Sequence, residues 1–208
     1  MAMIELRFSV RGTTLPTDHA YLLFAALSHV VREFHDEQAN LRFSPINGDR
    51  GEKGTIRLAD FSRLSVRLSA DQISVVLALA GQTLELGRHR ITLKQPTVQP
   101  IIPAPTLAAK LVTFKYATDP DQFLTTARRK LDEIGVDGDP GIPLIQQGQR
   151  AGEPRRQVLR IKGLQIIAYA LQVAGLKVVV SLRLLEGGLG GRRRIGCGFF
   201  VPVSGRNG

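Results

Sequence analysis

Sulfur-containing residues, aromatic residues and long apolar runs are all scarce in this chain of 208 residues. The only cysteine, Cys197, excludes an internal disulfide and a zinc site built from several cysteines. No apolar run reaches the roughly 18 residues that span a bilayer, and residues 1–10 lack the apolar core of a signal peptide. We therefore expect an intracellular protein without a membrane partner, in which Cys197, between two glycines, is a packing residue.

Acidic residues are scarce in the last third of the chain. Residues 150–208 contain eleven Lys or Arg and two Glu, a net charge of +9 out of the +10 of the whole chain. Charge concentrated in this way on a folded segment indicates a nucleic-acid backbone or another anionic surface as the partner.

The hydrophobic pattern of the first hundred residues predicts strands and two helices. Apolar residues alternate over 4–10 and recur at helical spacing over 16–35. Ser69 is expected to cap a helix over 70–79 that Gly81 ends. The remaining predicted strands cover 41–46, 55–58, 63–68, 83–86 and 89–94.

The pattern then restarts after a cluster of four prolines at 96–105, which we interpret as a linker. Helices are predicted over 119–134 and 176–185, and strands over 108–115, 156–161, 164–173 and 195–201. Each half therefore reads β-α-β-β-α-β. The predicted class is α+β with two tandem ferredoxin-like (RRM-like) domains, 1–100 and 106–208.

A glycine-rich stretch near the C-terminus is the most informative motif. Two Gly-x-Gly units, Gly188 to Gly190 and Gly196 to Gly198, are separated by five residues that include Arg192, Arg193 and Arg194. Glycine lets main-chain N–H groups approach an anion closely, and arginine adds forked, charged donors. The stretch predicts a loop that binds phosphate and leads into a strand.

This pattern resembles the C-terminal glycine-rich loop of the CRISPR-associated RAMP superfamily. With tandem ferredoxin-like domains, the chain is similar to the endoribonucleases that process CRISPR precursor RNA. Residues 15–28 resemble the first helix of those enzymes, and residues 160–163 (Arg-Ile-Lys-Gly) fit their compact branch.

The resemblance implies a prokaryotic, cytoplasmic enzyme that cleaves within each repeat without a metal or other cofactor. The 2′-hydroxyl attacks the adjacent phosphate and leaves a 2′,3′-cyclic phosphate and a 5′-hydroxyl. The product guide RNA often stays bound in an interference complex, so the expected partners are repeat RNA and other effector subunits. A homodimer stays an open alternative, because one sequence does not indicate the oligomeric state. The chemistry needs proton transfer and positive charge near the phosphate.

Four histidines are candidates for the proton transfer: His19, His29, His35 and His89. If residues 16–35 form one helix, Ser28, Arg32 and His35 share a stripe and His19 lies roughly opposite. The family places its catalytic histidine just past this helix, in a context that Phe34-His35-Asp36 resembles.

We rank His35 first and His19 second, ahead of His29, and expect His89 to be solvated. The resemblance also aligns Arg42 with a basic residue before the next strand. A family tyrosine that assists the histidine corresponds to Ser28, a shorter side chain that leaves the role of this hydroxyl open.

The residues expected to bind RNA belong to the C-terminal half. They are Gly188, Gly190, Arg192, Arg193, Arg194, Gly196, Gly198, Arg160 and Lys162. Arg128, Arg129 and Lys130 fan around a helix and cannot all face one ligand. No histidine pair has metal-ligand spacing, so no metal site is predicted.

Two alternatives to a nuclease remain. A non-catalytic RAMP subunit would use the same loop and basic tail to hold guide RNA without cutting it. An RNA-binding protein of the RRM class shares the fold, but only 6% of residues are aromatic and no strand carries the stacking aromatics of that class.

Overall fold

Residues 2–203 are described by a computed structural model, in which the chain divides into two units. The N-terminal unit comprises the residues up to Ile101 together with Arg194–Gly196. The C-terminal unit comprises Ile102 to Arg193 and the residues from Cys197 onward. Arg206, which contributes to the basic charge of the tail, lies outside the described residues.

The N-terminal unit contains eight strands and two α-helices within the described residues. They are β1 (Met3–Gly12), β2 (Thr14–Pro16), α1 (Ala20–Val30), β3 (Arg42–Phe43), β4 (Asp49–Arg50), β5 (Thr55–Arg57), β6 (Arg63–Ser69), α2 (Ile73–Val76), β7 (Thr83–Leu86) and β8 (His89–Pro100). The main sheet is antiparallel in the order β3-β6-β1-β8-β7, and β2-β5-β4 form a separate small sheet.

Alternation of side chains builds the core of this unit. Leu6 and Phe8 of β1 lie opposite Val66 and Leu64 of β6, and all four are completely buried. Because successive side chains of a strand point to opposite faces, the intervening residues of β1 lie on the other face of the sheet.

Both predicted helices of this unit are shorter than the sequence indicates. Residues 16–35 do not form one helix: α1 ends at Val30, Val31 is extended, and a separate 3₁₀ turn covers Arg32–His35. The adjacent β-branched residues Val30 and Val31 disfavour continuation of the helix. Residues 70–79 form one α-helical turn, α2, between two 3₁₀ turns, and Ser69 makes no side-chain cap.

The predicted proline-rich linker is partly a strand. Pro96 and Pro100 belong to β8 and lie opposite Phe8 and Ile4 of β1. Strand β7 pairs only with His89 to Thr92, so this half of β8 is a sheet edge. Proline is tolerated there because no second neighbour needs its missing N–H.

The C-terminal unit contains five strands and two helices within the described residues. They are β9 (Leu107–Val112), α3 (Pro120–Glu133), β10 (Asp139–Gly141), β11 (Arg156–Ile161), β12 (Leu164–Ala174), α4 (Val178–Gly187) and β13 (Phe200–Pro202). Its sheet has the order β10-β12-β9-β13, and β11 also pairs with β12. The predicted strand 195–201 is shorter because Arg193–Ile195 forms a 3₁₀ turn.

Helix α3 follows directly from its sequence. The carboxylate of Asp119 accepts hydrogen bonds from the N–H groups of Asp121 and Gln122, and Pro120 occupies the first turn. Phe123 packs against Tyr169 of β12, with ring centroids 4.9 Å apart. The amphipathic pattern therefore places one face of α3 on the sheet.

The order of the sheet strands confirms the predicted fold class. In the N-terminal unit the order β3-β6-β1-β8 has α1 after β1 and α2 after β6. The C-terminal unit repeats it as β11-β12-β9-β13, with α3 after β9 and α4 after β12. Both are βαββαβ ferredoxin-like units. None of the helices within residues 2–203 has the length and apolar character needed to cross a membrane.

Candidate active site and RNA-binding residues

His19 is buried at the start of α1, and both of its ring nitrogens are hydrogen bonded. Nδ1 lies 2.8 Å from the carbonyl oxygen of Pro16, and Nε2 accepts a hydrogen bond of 3.0 Å from the N–H of Ile46. Nδ1 must therefore carry the hydrogen and donate it to Pro16. With 4% exposure, His19 tethers the start of the helix to a distant loop, and its imidazole is already committed.

His35 has the opposite surroundings. It is exposed at the end of the 3₁₀ turn, and its ring stands edge-on to Phe24 with centroids 5.1 Å apart and an interplanar angle of 77°. Among residues 2–203 no side chain or main-chain group forms a hydrogen bond with its ring nitrogens. Phe24 therefore packs against an imidazole whose nitrogens have no hydrogen-bond partner among the described residues.

The prediction that Ser28, Arg32 and His35 lie on one face of a single helix is wrong. The extended residue Val31 separates Ser28 from the other two, so one helical rotation no longer relates them. Ser28 is 4% exposed, and its hydroxyl has no partner among the described residues. Ser28 thus lies on the buried face of α1, whereas Arg32 and His35 are exposed.

Arg194 of the glycine-rich stretch contacts the turn that carries His35. The segment Arg194–Gly196 belongs to the N-terminal unit. One guanidinium nitrogen donates to the carbonyl oxygen of His35 over 2.9 Å, and another lies 3.0 Å from a carboxylate oxygen of Glu37. A forked guanidinium can hold two acceptors at once, so Arg194 binds the main chain at His35 and the side chain of Glu37.

The other catalytic candidates predicted from the sequence differ in their burial and in their hydrogen-bond partners. Arg42 is half-buried in β3 and donates to the side chain of Asn40 over 2.9 Å. His29 is exposed in the last turn of α1. His89 was expected to be solvated, but it is half-buried and its Nδ1 lies 3.0 Å from both the hydroxyl and the carbonyl oxygen of Thr14.

The glycines of the loop pack against strand β9 and against Thr113, the residue that follows it. The N–H of Gly191 donates to the carbonyl oxygen of Thr113 over 2.8 Å, and that of Gly198 donates to Leu111 over 2.6 Å. Gly190 and Gly198 both have positive φ, of 86° and 68°. A Cβ at Gly190 would lie 2.8 Å from the carbonyl oxygen of Thr113.

These contacts use main-chain N–H groups that were predicted to bind phosphate. The N–H of Gly188 donates to Leu184 over 2.9 Å, so three of the loop's N–H groups already have acceptors within the protein. Gly188, Gly196 and Gly198 are buried. The exposed part of the loop is the arginine segment, and its side chains are the groups that face solvent.

The three consecutive arginines have different surroundings. Arg193 donates to the carbonyl oxygen of Gly187 over 3.0 Å, whereas Arg194 is bound to His35 and Glu37. Arg192 is exposed with φ of 57°, and it forms no hydrogen bond or ion pair within the part of the chain that the structure describes. All three arginines were predicted to bind phosphate, and Arg192 has the surroundings that suit this role best.

Arg160 and Lys162 lie at the β11–β12 hairpin, where both are exposed. Lys162 and Gly163 form its two-residue turn, with φ of 48° and 81°. Positive φ at both central residues matches the twist of the flanking strands. The hairpin therefore presents basic side chains to solvent beside its turn.

A buried ion pair in the N-terminal unit was not recognised from the sequence. The Glu5 carboxylate accepts from Ser65 Oγ (2.7 Å), Arg7 Nη2 (2.8 Å) and Arg67 Nε (3.2 Å). Burial alone would raise the pKa of Glu5, but the charge of Arg67 and the hydrogen bonds from Arg7 and Ser65 hold this pKa below its ordinary value of 4.5. Glu5 lies opposite Arg67 only because β1 pairs with β6.

Within residues 2–203 no group of three or more His, Cys, Asp or Glu side chains is arranged to hold a metal ion.

Comparison with known proteins assigns the chain to a family. The family model described as Cas6 Crispr matches residues 4–205. A CRISPR-associated endonuclease Cas6 from Myxococcus xanthus (strain DK1622) is 37% identical over 204 residues, which cover 97% of this chain and 82% of that protein.

Solved structures share the fold at low identity. A protein from a Cas6-related gene of Pyrococcus furiosus aligns with a TM-score of 0.65 and 14% identity over 99% of this chain and 100% of that chain. A CRISPR endoribonuclease Cse3 bound to a 19-nucleotide RNA aligns with a TM-score of 0.53 and 16% identity over 97% of this chain and 98% of that chain. The chain therefore belongs to the CRISPR-associated Cas6 family.

Proposed function

We propose that this protein is a metal-independent endoribonuclease that cleaves CRISPR precursor RNA within its repeats and retains the product guide RNA. Membership of the Cas6 family supports nuclease activity, and the 37% identical relative is called an endonuclease. The basic C-terminal unit supports RNA as the substrate. The observation that carries the proposal is the exposed imidazole of His35, whose ring nitrogens have no hydrogen-bond partner within residues 2–203 and whose turn is contacted by Arg194.

The proposed reaction is an internal transfer at phosphorus. The 2′-oxygen forms a bond to the phosphorus and loses its proton, while the bond from phosphorus to the 5′-oxygen breaks and that oxygen gains a proton. The products are a 2′,3′-cyclic phosphate and a 5′-hydroxyl. His35 exchanges a proton with one of these two oxygens, and solvent serves the other. His19 cannot take this role while Pro16 and Ile46 occupy its nitrogens.

Two arginines are placed to act on this site in different ways. Arg32 belongs to the same 3₁₀ turn as His35 and is exposed, so its charge can stabilise the phosphorane that forms. Arg194 contacts the turn that carries His35: it donates to the main-chain carbonyl oxygen of His35 and pairs with the side-chain carboxylate of Glu37. We assign Arg194 as a positioning residue, in place of the phosphate contact predicted from the sequence.

RNA binding falls to exposed cations elsewhere in the chain. Arg192 beside the glycine-rich loop and Arg160 and Lys162 at the β11–β12 hairpin are exposed and basic. Contacts with phosphates are independent of sequence and weaken with salt. These residues account for affinity and product retention, whereas His35 accounts for cleavage.

The experiment is a single-turnover cleavage assay with repeat RNA in EDTA. We compare the unmodified protein with His35→Ala and with His29→Ala, a matched control because both histidines are exposed in the N-terminal unit. Loss of general acid–base catalysis costs about 10²–10⁴ in rate, so His35→Ala should lose at least about 100-fold. His29→Ala should cleave at the normal rate.

The same assay can refute the proposal. Product ends that lack a 2′,3′-cyclic phosphate, or activity that EDTA abolishes, would contradict the mechanism. Tight RNA binding without any cleavage by the unmodified protein would instead favour the non-catalytic subunit. Undiminished cleavage by His35→Ala would refute the assignment of His35.

A further inference from the structure

An exposed tyrosine in the C-terminal unit has no role in the proposed cleavage. Tyr116 is 81% exposed, more than any other large apolar side chain within residues 2–203. It lies in the turn between β9 and α3 with φ of 67°. A left-handed backbone is costly for a residue with a bulky side chain, and such positions concentrate where a side chain is presented for binding.

Lys115 covers one face of this tyrosine. Its ammonium nitrogen lies 4.8 Å from the centre of the Tyr116 ring. Because the residue remains 81% exposed, most of the ring, including its other face, contacts solvent. The pair therefore presents a flat aromatic surface with a positive charge beside it.

A pocket of about 470 Å³ opens at this surface. Its volume lies within the range of small-molecule sites, roughly 300–1,000 Å³. Besides the turn residues, it is lined by Asp121, Gln122, Thr125 and Thr126 of the first two turns of α3. Thr126 bonds back to the carbonyl oxygen of Gln122, so Asp121, Gln122 and Thr125 supply the hydrogen-bonding side chains.

The turn is held on both sides by the core. The Phe114 ring before it packs on Phe123, with centroids 4.9 Å apart. After it, the carbonyl oxygen of Thr118 accepts from the hydroxyl of Tyr169 over 2.9 Å. Residues fixed in this way lose little conformational freedom on binding, which favours a preorganised site.

We propose that Tyr116 and this pocket bind one nucleobase of single-stranded RNA. A base can stack on the open face of the ring, as bases do on aromatic platforms, and Lys115 can contact an adjacent phosphate. The identification of RNA rests on the proposed function. The carboxylate of Asp121 disfavours a phosphate inside the pocket and accepts hydrogen bonds from a base edge.

Guanine fits this lining best. Its N1–H and N2–H₂ groups are adjacent donors that match the two oxygens of one carboxylate. Uracil offers a single N–H flanked by carbonyl oxygens, which Asp121 would repel. The site is therefore expected to prefer guanine over uracil in unpaired RNA.

A tryptophan reporter tests the site directly, because the chain contains no tryptophan. Tyr116→Trp places one stacking indole in the pocket, and Phe61→Trp is the matched control at a turn residue that is 54% exposed. Short single-stranded oligonucleotides rich in guanine should quench Tyr116→Trp more strongly than uracil-rich ones. The control should show no such difference, and Asp121→Asn should remove the preference.

Affinity for repeat RNA gives the second measurement. With 2′-deoxy substitution at the cleavage site to prevent turnover, Tyr116→Ala should bind about tenfold more weakly, as expected for loss of one stacked base. Tyr116→Phe should bind like the unmodified protein because it keeps the ring. Equal affinity of Tyr116→Ala, or equal quenching of both tryptophan variants, would overturn the site.

These outcomes are distinguishable from failure of the proposed function. If Tyr116→Ala binds and cleaves normally while His35→Ala does not cleave, only the base site is refuted. If guanine-rich RNA quenches Tyr116→Trp but repeat RNA is never cleaved, the site stands and the nuclease proposal fails.

Discussion

The two ferredoxin-like units share one strand order but differ in the ionisable groups that they carry. All four histidines lie in the first hundred residues, and residues 102–208 contain none. The chain's excess positive charge is concentrated in residues 150–208. The two units thus share a fold but differ in their side chains: histidines are suited to proton transfer, and the basic residues are suited to binding a polyanion. The ferredoxin-like fold alone therefore does not determine where these side chains lie.

The units also differ in how they hold their functional segments. The N-terminal unit buries a charged pair, Glu5 with Arg67, on its main sheet. The C-terminal unit binds the glycine-rich loop through the main chain, with Gly198 bonded to β9 and Gly191 to Thr113 just after it. We therefore expect the loss of stability on substituting Glu5 to depend on pH. The loss on substituting a glycine of the loop should depend on the volume of the new side chain.

The largest stability effect is expected from Glu5→Ala. Removing one partner of a buried ion pair leaves the guanidinium of Arg67 without its counter-charge, which costs about 3–5 kcal/mol. Asp139→Ala is the control, because the Arg128–Asp139 pair is exposed and worth about 0–1 kcal/mol. Urea unfolding measures both. Equal free energies of unfolding for Glu5→Ala and the unmodified protein would contradict the role of this pair.

The pH dependence of the Glu5 contribution has a definite sign. The pKa of Glu5 is below 4.5 in the folded state, so the unfolded chain binds the proton more readily. The stabilisation is therefore fully present above about pH 4.5 and is lost as pH falls through the lowered pKa. The difference in stability between Glu5→Ala and the unmodified protein should shrink in that acidic range, and growth of the difference there would contradict the pKa direction.

The next effect is expected at Gly198 of the loop. Alanine there would place its Cβ against the carbonyl oxygen of Leu189 at a φ of 68°. A left-handed backbone and an overpacked contact together cost about 3 kcal/mol. Gly191→Ala is the matched control, since its Cβ would meet nothing closer than 3.5 Å. Thermal unfolding should separate the two variants, and equal melting temperatures would show that the loop does not depend on close packing.

A smaller effect separates the two leading histidines. His19→Ala leaves the N–H of Ile46 and the carbonyl oxygen of Pro16 without their partner, which costs about 2 kcal/mol. The folded fraction should still cleave at the normal rate. His35→Ala should show the reverse, with stability retained and cleavage lost. A cleavage defect in folded His19→Ala would restore it as a catalytic candidate.

The smallest effects distinguish neighbouring arginines. Arg194→Ala releases the turn of His35, so single-turnover cleavage should fall about tenfold while RNA affinity changes less. Arg192→Ala should leave the rate constant unchanged at saturating RNA and lower the salt dependence of binding by about 0.7 in log–log slope. Identical behaviour of the two variants would show that their different contacts have no functional consequence.

Short-range sequence patterns correctly predicted the strands and helices that depend on neighbouring residues. Strands β1 and β6 follow from alternation, and α3 follows from Asp119 with its amphipathic face. The helix before His35 was predicted too long because apolar spacing continues past Val31, where the backbone becomes extended. Because the helix ends before His35, the prediction that Ser28 and His35 lie on the same helix face does not hold.

Long-range contacts could not be predicted from spacing. The hydrogen bond from Arg194 to His35 joins residues 159 positions apart, and that between Glu5 and Arg67 joins residues 62 apart. The glycine motif located the loop and its arginines. It could not indicate that the N–H groups of Gly191 and Gly198 donate to Thr113 and Leu111, because these contacts depend on how the loop packs against a segment far away in the sequence.

Chemical rescue tests the central claim, that the imidazole of His35 transfers a proton during cleavage. His35→Gly removes the imidazole at an exposed position that free imidazole can enter from solvent. We expect single-turnover cleavage of repeat RNA by this variant to be restored in proportion to added imidazole. A folded, RNA-binding His35→Gly protein that cleaves at the normal rate without imidazole, or that stays inactive at every imidazole concentration, would contradict the account.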